Sequence, residues 1–168
     1  GDPRGDEVHH NKVQLLRHGL AARQCDLSTL VFGRDEELAQ WAEKSGMGPF
    51  QRPLTTIGVV DKNDRIMAVA IYNNYRYDSD VEVSFVSATP RWATQGNIRA
   101  MLFYPFGQLG VKRLSAITTK SNKRCRKLLT GLGFKQEGVH PFAGENQATA
   151  ISYGMYTTSA NKWVKNNG

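Results

Sequence analysis

The sequence predicts a mixed α/β (α+β) fold, a central sheet with helices packed against it. Two periodicities predict it. After Pro53 the segments 56–60, 65–73, 81–87 and 113–119 carry strand-like patterns of period two. Around them apolar residues recur at helical spacing: Leu38, Trp41 and Ala42; Ile98, Met101, Leu102, Phe106 and Leu109; Cys125, Leu128, Leu129 and Leu132. At 168 residues, 40% of them hydrophobic, the chain is long enough to bury one sizeable core.

Taken in order, residues 1–12 read as a flexible leader and 13–168 as a single domain. Residues 13–20 suggest a short strand, and 20–32 carry no decisive pattern. A helix over 34–44 stops at Gly46, and 46–49 is a loop. Residues 56–60 and 65–73 form a hairpin through the Asx-rich turn 61–64. The loop 75–79 leads to a strand at 81–87, with Val81, Val83 and Phe85 on one face and Glu82, Ser84 and Val86 on the other. A loop with Pro90, Arg91 and Trp92 precedes a helix that Thr94 can cap, and Pro105 breaks its last turn. Gly110 turns into the strand 113–119. Ser121-Asn122 opens the next helix, which closes on Gly131-Leu132-Gly133-Phe134 and leads by a strand into Glu137-Gly138. One more strand covers 148–156. Tyr72, Tyr75, Tyr77 and Tyr153 read as core or groove-wall residues.

Composition narrows the function. Twenty-two basic residues against 15 acidic ones give a net charge of +7, a field that attracts polyanions. The basic residues around 112–113, 120–127 and 162–165 are either a solvated face or a collar around bound phosphates. Nucleic acid ranks behind these, because no interleaved aromatic-basic motif is present. Cys25 and Cys125 make neither a disulfide framework nor a metal-ligand spacing, so the expected chain is reduced and cytoplasmic. His9, His10, His18 and His140 form no spaced pair on a helix, so no metal is expected. The longest apolar run, about 67–72, is too short to cross a bilayer, and no membrane association is expected.

From 57 to 156 the order of elements, and from 81 to 138 the motifs, resemble the GCN5-related N-acetyltransferase (GNAT) superfamily. Tyr104-Pro105-Phe106-Gly107-Gln108-Leu109-Gly110-Val111-Lys112-Arg113 looks like the end of that superfamily's cofactor-binding helix. Asn122-Lys123-Arg124-Cys125 through Gly133-Phe134 is similar to the Asn-x-x-Ser…Leu-Gly-Phe element of the branch that acetylates ribosomal-protein N-termini. The superfamily includes phage-encoded members. The resemblance implies a mostly antiparallel sheet of about six to seven strands with one splayed pair, and acetyl-coenzyme A as co-substrate. In that reading Phe85, Val86 and Ser87 pair with the pantetheine arm. Arg91, Trp92, Ala93, Thr94, Gln95 and Gly96 surround the pyrophosphate at a helix N-terminus, where free N–H groups and the helix dipole favour anions. Asn122 caps the last helix or bonds the pantetheine, with Arg124 beside it.

The chain departs from the family at three positions. Trp92 stands where the phosphate turn has its first glycine. Leu129 replaces the tyrosine that many members use to protonate the leaving thiolate. Cys125 stands where the ribosomal-type branch has serine. Cys125 is therefore either the leaving-group acid, with a pKa lowered at a helix start beside Arg124 and Arg126, or a small core residue. Glu82 is either the general base, with Asp80 in reserve, or a solvent-facing strand carboxylate. The expected function is an N-acyltransferase moving an acetyl group to an amine of a protein, peptide or small molecule, as monomer or homodimer. The alternatives are a nucleic-acid-modifying or nucleic-acid-binding relative, or a catalytically inactive module.

Overall fold

In a computed structural model, which describes residues 28–164, the period-two segments pair into a sheet as their pattern requires. The elements are β1 (Ser28–Phe32), α1 (Asp35–Lys44), β2 (Leu54–Asp61), β3 (Ile66–Arg76), β4 (Asp80–Ser87), α2 (Gln95–Phe103), β5 (Arg113–Thr119), α3 (Lys123–Leu132), β6 (Lys135–His140), β7 (Ala150–Tyr156) and α4 (Thr157–Val164). Among the described residues, seven strands form one mostly antiparallel sheet in the order β1-β2-β3-β4-β5-β7-β6, with four flanking helices. The expected leader 1–12, the expected strand at 13–20 and Cys25 lie outside the described residues.

The described residues group into two compact units, each built from separate stretches. The first holds 28–50, 55–70 and 86–101. Here β1 pairs antiparallel with β2, Ser28↔Asp61 through Phe32↔Ile57, and Leu38, Ala39 and Ala42 of α1 are buried. The first turn of α1 carries Asp35, Glu36 and Glu37, which suit the positive end of the helix dipole. Asp35 Oδ1 also accepts the Thr56 N–H at 2.8 Å and its hydroxyl at 2.9 Å, tying the start of α1 to β2. The β2–β3 turn closes as its Asx residues direct: Asp61 Oδ1 accepts the N–H groups of Asn63 and Arg65 at 2.8 and 3.0 Å.

Gly58 sets how near α1 comes. A Cβ there would meet Leu38 Cδ1 and Val31 Cγ2, each at 2.8 Å. Both side chains are buried and have nowhere to go. Gly58→Ala is expected to destabilise the fold by about 1–3 kcal/mol through overpacking. Thermal unfolding of the variant would show this as a loss of roughly 3–10 °C.

The second unit holds 51–54, 71–85 and 102–164. Its β5 pairs along its whole length with β7, Arg113↔Tyr156 to Thr119↔Ala150, and β7 pairs with β6 on its other side. The α2 helix ends in a six-residue π-turn, Tyr104–Leu109, where the sequence predicts a broken last turn at Pro105. Gly133 ends α3 in the left-handed conformation at φ 110°, which lets the Phe134 N–H reach back to the Leu129 carbonyl at 3.0 Å.

The structure departs from or adds to the sequence reading in four places. β1 forms where the sequence shows no pattern. β3 runs to Arg76, past its expected end; Tyr75 on it and Tyr77 just after it are exposed at 43% and 86%, while Tyr72 and Tyr153 are core residues. On β4 the burial alternates at Val81 and Val83 but then passes from Phe85 to Val86. Finally, α4 is a helix the polar Thr157-Thr158-Ser159 start conceals. It is held by tertiary bonds: Trp163 Nε1 donates to the Leu132 carbonyl at 2.8 Å, and the Thr157 hydroxyl to the Lys112 carbonyl at 3.2 Å.

Candidate active site

The parallel strands β4 and β5 share a ladder of three pairs, Asp80↔Arg113, Val81↔Leu114 and Glu82↔Ser115. β5 continues to Thr119 against β7, and β4 continues to Ser87, so both outlast their common ladder. Glu82 stands on the last rung. It is half-buried, and its Oε2 accepts a hydrogen bond from Asn74 Nδ2 at 2.9 Å. Asp80 lies two residues earlier on the same face and accepts the Ser115 hydroxyl at 2.7 Å. Beyond the rung, Ser84 and Phe85 are half-buried, Val86 is buried and Ser87 is exposed.

The start of α3 is built by Asn122, whose Oδ1 accepts the Cys125 N–H at 3.1 Å. Its Nδ2 has no partner among the described residues, so the cap keeps one donor in hand. The lowered Cys125 pKa expected from the sequence is corrected here. Burial pushes the thiol up, and a hydrogen bond with Thr118 only partly opposes it. The neighbouring cations do not reverse this. Arg126 is committed elsewhere, donating to the Tyr153 hydroxyl at 3.0 Å and the Lys120 carbonyl at 3.1 Å, and Arg124 is exposed.

In the first unit, the segment 89–97 is a built structure. Thr89 Oγ1 accepts the Arg91 N–H at 3.4 Å and opens a single helical turn over Pro90–Trp92. The Trp92 indole, at the position where the resemblance has a glycine, is buried at 2% exposure and belongs to the core. Its carbonyl accepts the Thr94 N–H and Asn97 Nδ2, each at 2.8 Å, with Ala93 between them in an inverse γ conformation, φ −80° and ψ 52°. Thr94 is the N-cap the sequence predicts: its Oγ1 accepts the Asn97 N–H at 3.2 Å. The N–H groups of Gln95 and Gly96 have no partner among the described residues, and Arg91, Ala93 and Gln95 are exposed.

Sequence reasoning missed one cluster. The Tyr156 hydroxyl donates to Glu137 Oε2, Arg113 Nη2 donates to Glu137 Oε1 at 2.6 Å, and Arg113 Nη1 donates to Ser115 Oγ at 3.0 Å. The Arg113 guanidinium also lies 5.5 Å from the centre of the Tyr156 ring. No local spacing reveals this group, because β7 comes between β5 and β6 in the sheet and brings together residues far apart in the chain. Only the shared face of Arg113 and Ser115, two residues apart on β5, was readable.

The cluster makes stability depend on pH. Arg113, then the Tyr156 hydroxyl, holds the Glu137 carboxyl below its ordinary range. A depressed carboxyl stabilises above its unfolded pKa and loses that contribution as pH falls through the folded value. Tyr156 shifts upward, chiefly because its hydroxyl donates to Glu137, so its contribution is lost as pH rises through its own folded pKa. Thermal midpoints should therefore fall below about pH 4, and Glu137→Gln should flatten that acid limb.

Among the described residues no helix is long and apolar enough to cross a membrane, and no group of His, Cys, Asp and Glu side chains is placed to hold a metal. No protein-family model and no curated protein sequence matches the chain. Solved structures do. A mutant form of the spermidine/spermine N-acetyltransferase SpeG from Vibrio cholerae superposes with a TM-score of 0.67 at 11% identity, covering 80% of this chain and 96% of SpeG. Ribosomal-protein-S5-alanine acetyltransferase from Vibrio fischeri gives 0.65 at 14% identity, covering 84% and 98%. A GNAT-family acetyltransferase from Bacillus anthracis gives 0.51 at 16% identity, covering 60% and 65%. The chain has the fold of the GNAT-family acetyltransferases.

Proposed function

We propose that the protein is an acetyl-coenzyme A-dependent N-acetyltransferase acting on an amine. The observation that carries the proposal is the short parallel ladder. In this fold, β4 and β5 part company after Glu82 and Ser115 while each strand runs on. A strand that leaves its neighbour offers backbone groups to an amide-bearing ligand, which suits the pantetheine arm along Phe85, Val86 and Ser87. The Gln95 and Gly96 N–H groups at the start of α2 suit the pyrophosphate, with Arg91 adding charge and Trp92, Ala93 and Thr94 fixing the turn. Asn122 Nδ2 is the donor for the pantetheine, with the exposed Arg124 two residues along α3.

The thioester arrives already activated. Glu82 accepts the proton of the attacking amine, held in place by Asn74. When the tetrahedral intermediate collapses, the C–S bond breaks and the departing thiolate takes the proton of Cys125. The Cys125 thiol, its pKa raised by burial, carries its proton at neutral pH, and the departing thiolate is the base that draws it. SpeG is named for spermidine and spermine, which are amines, and the Vibrio fischeri protein for an alanine of ribosomal protein S5.

Isothermal titration with acetyl-coenzyme A should give a Kd in the micromolar range, about −8 kcal/mol, and the ligand should raise the thermal midpoint. Free-thiol release should appear with spermidine or with an alanine-terminated peptide. Absence of both heat and midpoint shift rejects the reading.

A further inference from the structure

We infer that Arg113, acting through Ser115 and Asp80, is a positioning residue that fixes Glu82 at the point where β4 and β5 separate. The inference rests on the proposed activity for its catalytic purpose, and on the geometry alone for the positioning itself.

Three backbone pairs are a weak joint for two strands whose pairing then stops. The side chains add a second joint on the Glu82 face. Arg113 Nη1 donates to Ser115 Oγ at 3.0 Å, and Ser115 Oγ donates to Asp80 Oδ1 at 2.7 Å and Oδ2 at 2.9 Å. A hydroxyl has one proton. Receiving from Arg113 leaves Ser115 only Asp80 to donate to, so the direction of the chain is fixed. Ser115 is itself the register partner of Glu82, and Arg113 that of Asp80. The far end is anchored on two more strands, because Glu137 of β6 and Tyr156 of β7 hold the other side of the guanidinium. The link thus crosses β6, β5 and β4 and ends two residues from the base, while Asn74 holds the Glu82 carboxylate from β3.

Gly154 shows that the fold makes room for this arrangement. Its register partners are Ser115 and Lys135. A Cβ there would lie 2.7 Å from Glu137 Cδ and 2.9 Å from Arg113 Nη2. Both are ends of flexible side chains and its φ is not left-handed, so an alanine would displace the ion pair without forcing the backbone. Gly154→Ala is therefore the gentle probe, Arg113→Met the blunt one, and Arg113→Glu with Glu137→Arg the discriminating one. The exchange restores an ion pair between β5 and β6, but puts a carboxylate beside Asp80 that cannot donate to Ser115.

The measurements are kcat and KM for acetyl-coenzyme A, the thermal midpoint, and amide hydrogen exchange at Val81 and Glu82. Positioning predicts that Arg113→Met lowers kcat about 10- to 100-fold, with KM changed less than about threefold, and speeds exchange at Glu82 about tenfold. Gly154→Ala should act in the same direction with a smaller change. The charge exchange should recover the midpoint but not kcat. If the exchange restores both, or if Arg113→Met lowers the midpoint and leaves kcat and Glu82 exchange unchanged, the role is structural and the inference fails. A wild-type protein that releases no thiol rejects the acetyltransferase reading instead. Glu82 exchange in Arg113→Met and Gly154→Ala then still decides whether the link positions β4.

Discussion

Replacing Glu82 by glutamine is expected to lower kcat about 10²- to 10³-fold while leaving acetyl-coenzyme A affinity within about twofold. Glutamine keeps the size of the side chain and an oxygen that can accept from Asn74 Nδ2, so the local bonding survives. What disappears is the ability to take a proton. The effect should therefore fall on turnover and not on folding or on binding of the nucleotide. A variant that retains kcat within about threefold assigns the base elsewhere, with Asp80 next in line.

Cys125→Ala is expected to lower kcat by about 10²-fold, and Cys125→Ser to recover part of that loss. The acid must carry its proton to be useful, so activity should be lost as pH rises through the thiol pKa. Burial places that point above the ordinary thiol range, and the wild-type alkaline limb should lie there. The serine variant should show no such limb within the working range, because a hydroxyl does not ionise there. The Asn122 cap bonds the backbone of residue 125, not its side chain, so neither variant costs the helix its start. An unchanged kcat in Cys125→Ala, with the fold intact, returns this thiol to packing alone.

Much of this was legible in the sequence because the signals are local. The period-two runs, the Asp61 turn, the Thr94 and Asn122 caps and the Gly133 stop each depend on residues within a few positions of one another, and each forms as its chemistry directs. The β1 strand and α4 were hidden for the opposite reason. Ser28–Phe32 is short and joins the sheet by pairing with β2, and Thr157–Val164 starts on three poor helix formers and is held by Leu132 and Lys112. The burial of Trp92 was not legible, because alignment with a motif gives a position but not a direction. The Cys125 pKa was misjudged because flanking arginines are visible in sequence and burial is not. The Arg113 cluster was out of reach, since strand order alone brings Asp80, Ser115, Glu137 and Tyr156 together.

The place of β7 between β5 and β6 also governs how the chain matures on the ribosome. β5 ends at Thr119, yet its full-length neighbour starts only at Ala150. Until those later residues emerge, β5 has three rungs of contact with β4, and β6 waits beside an empty slot. Such long-range closure is slow and leaves strand edges open to other nascent chains. That late strand is the keystone, and a polypeptide released before it would present two unsatisfied edges to the cell.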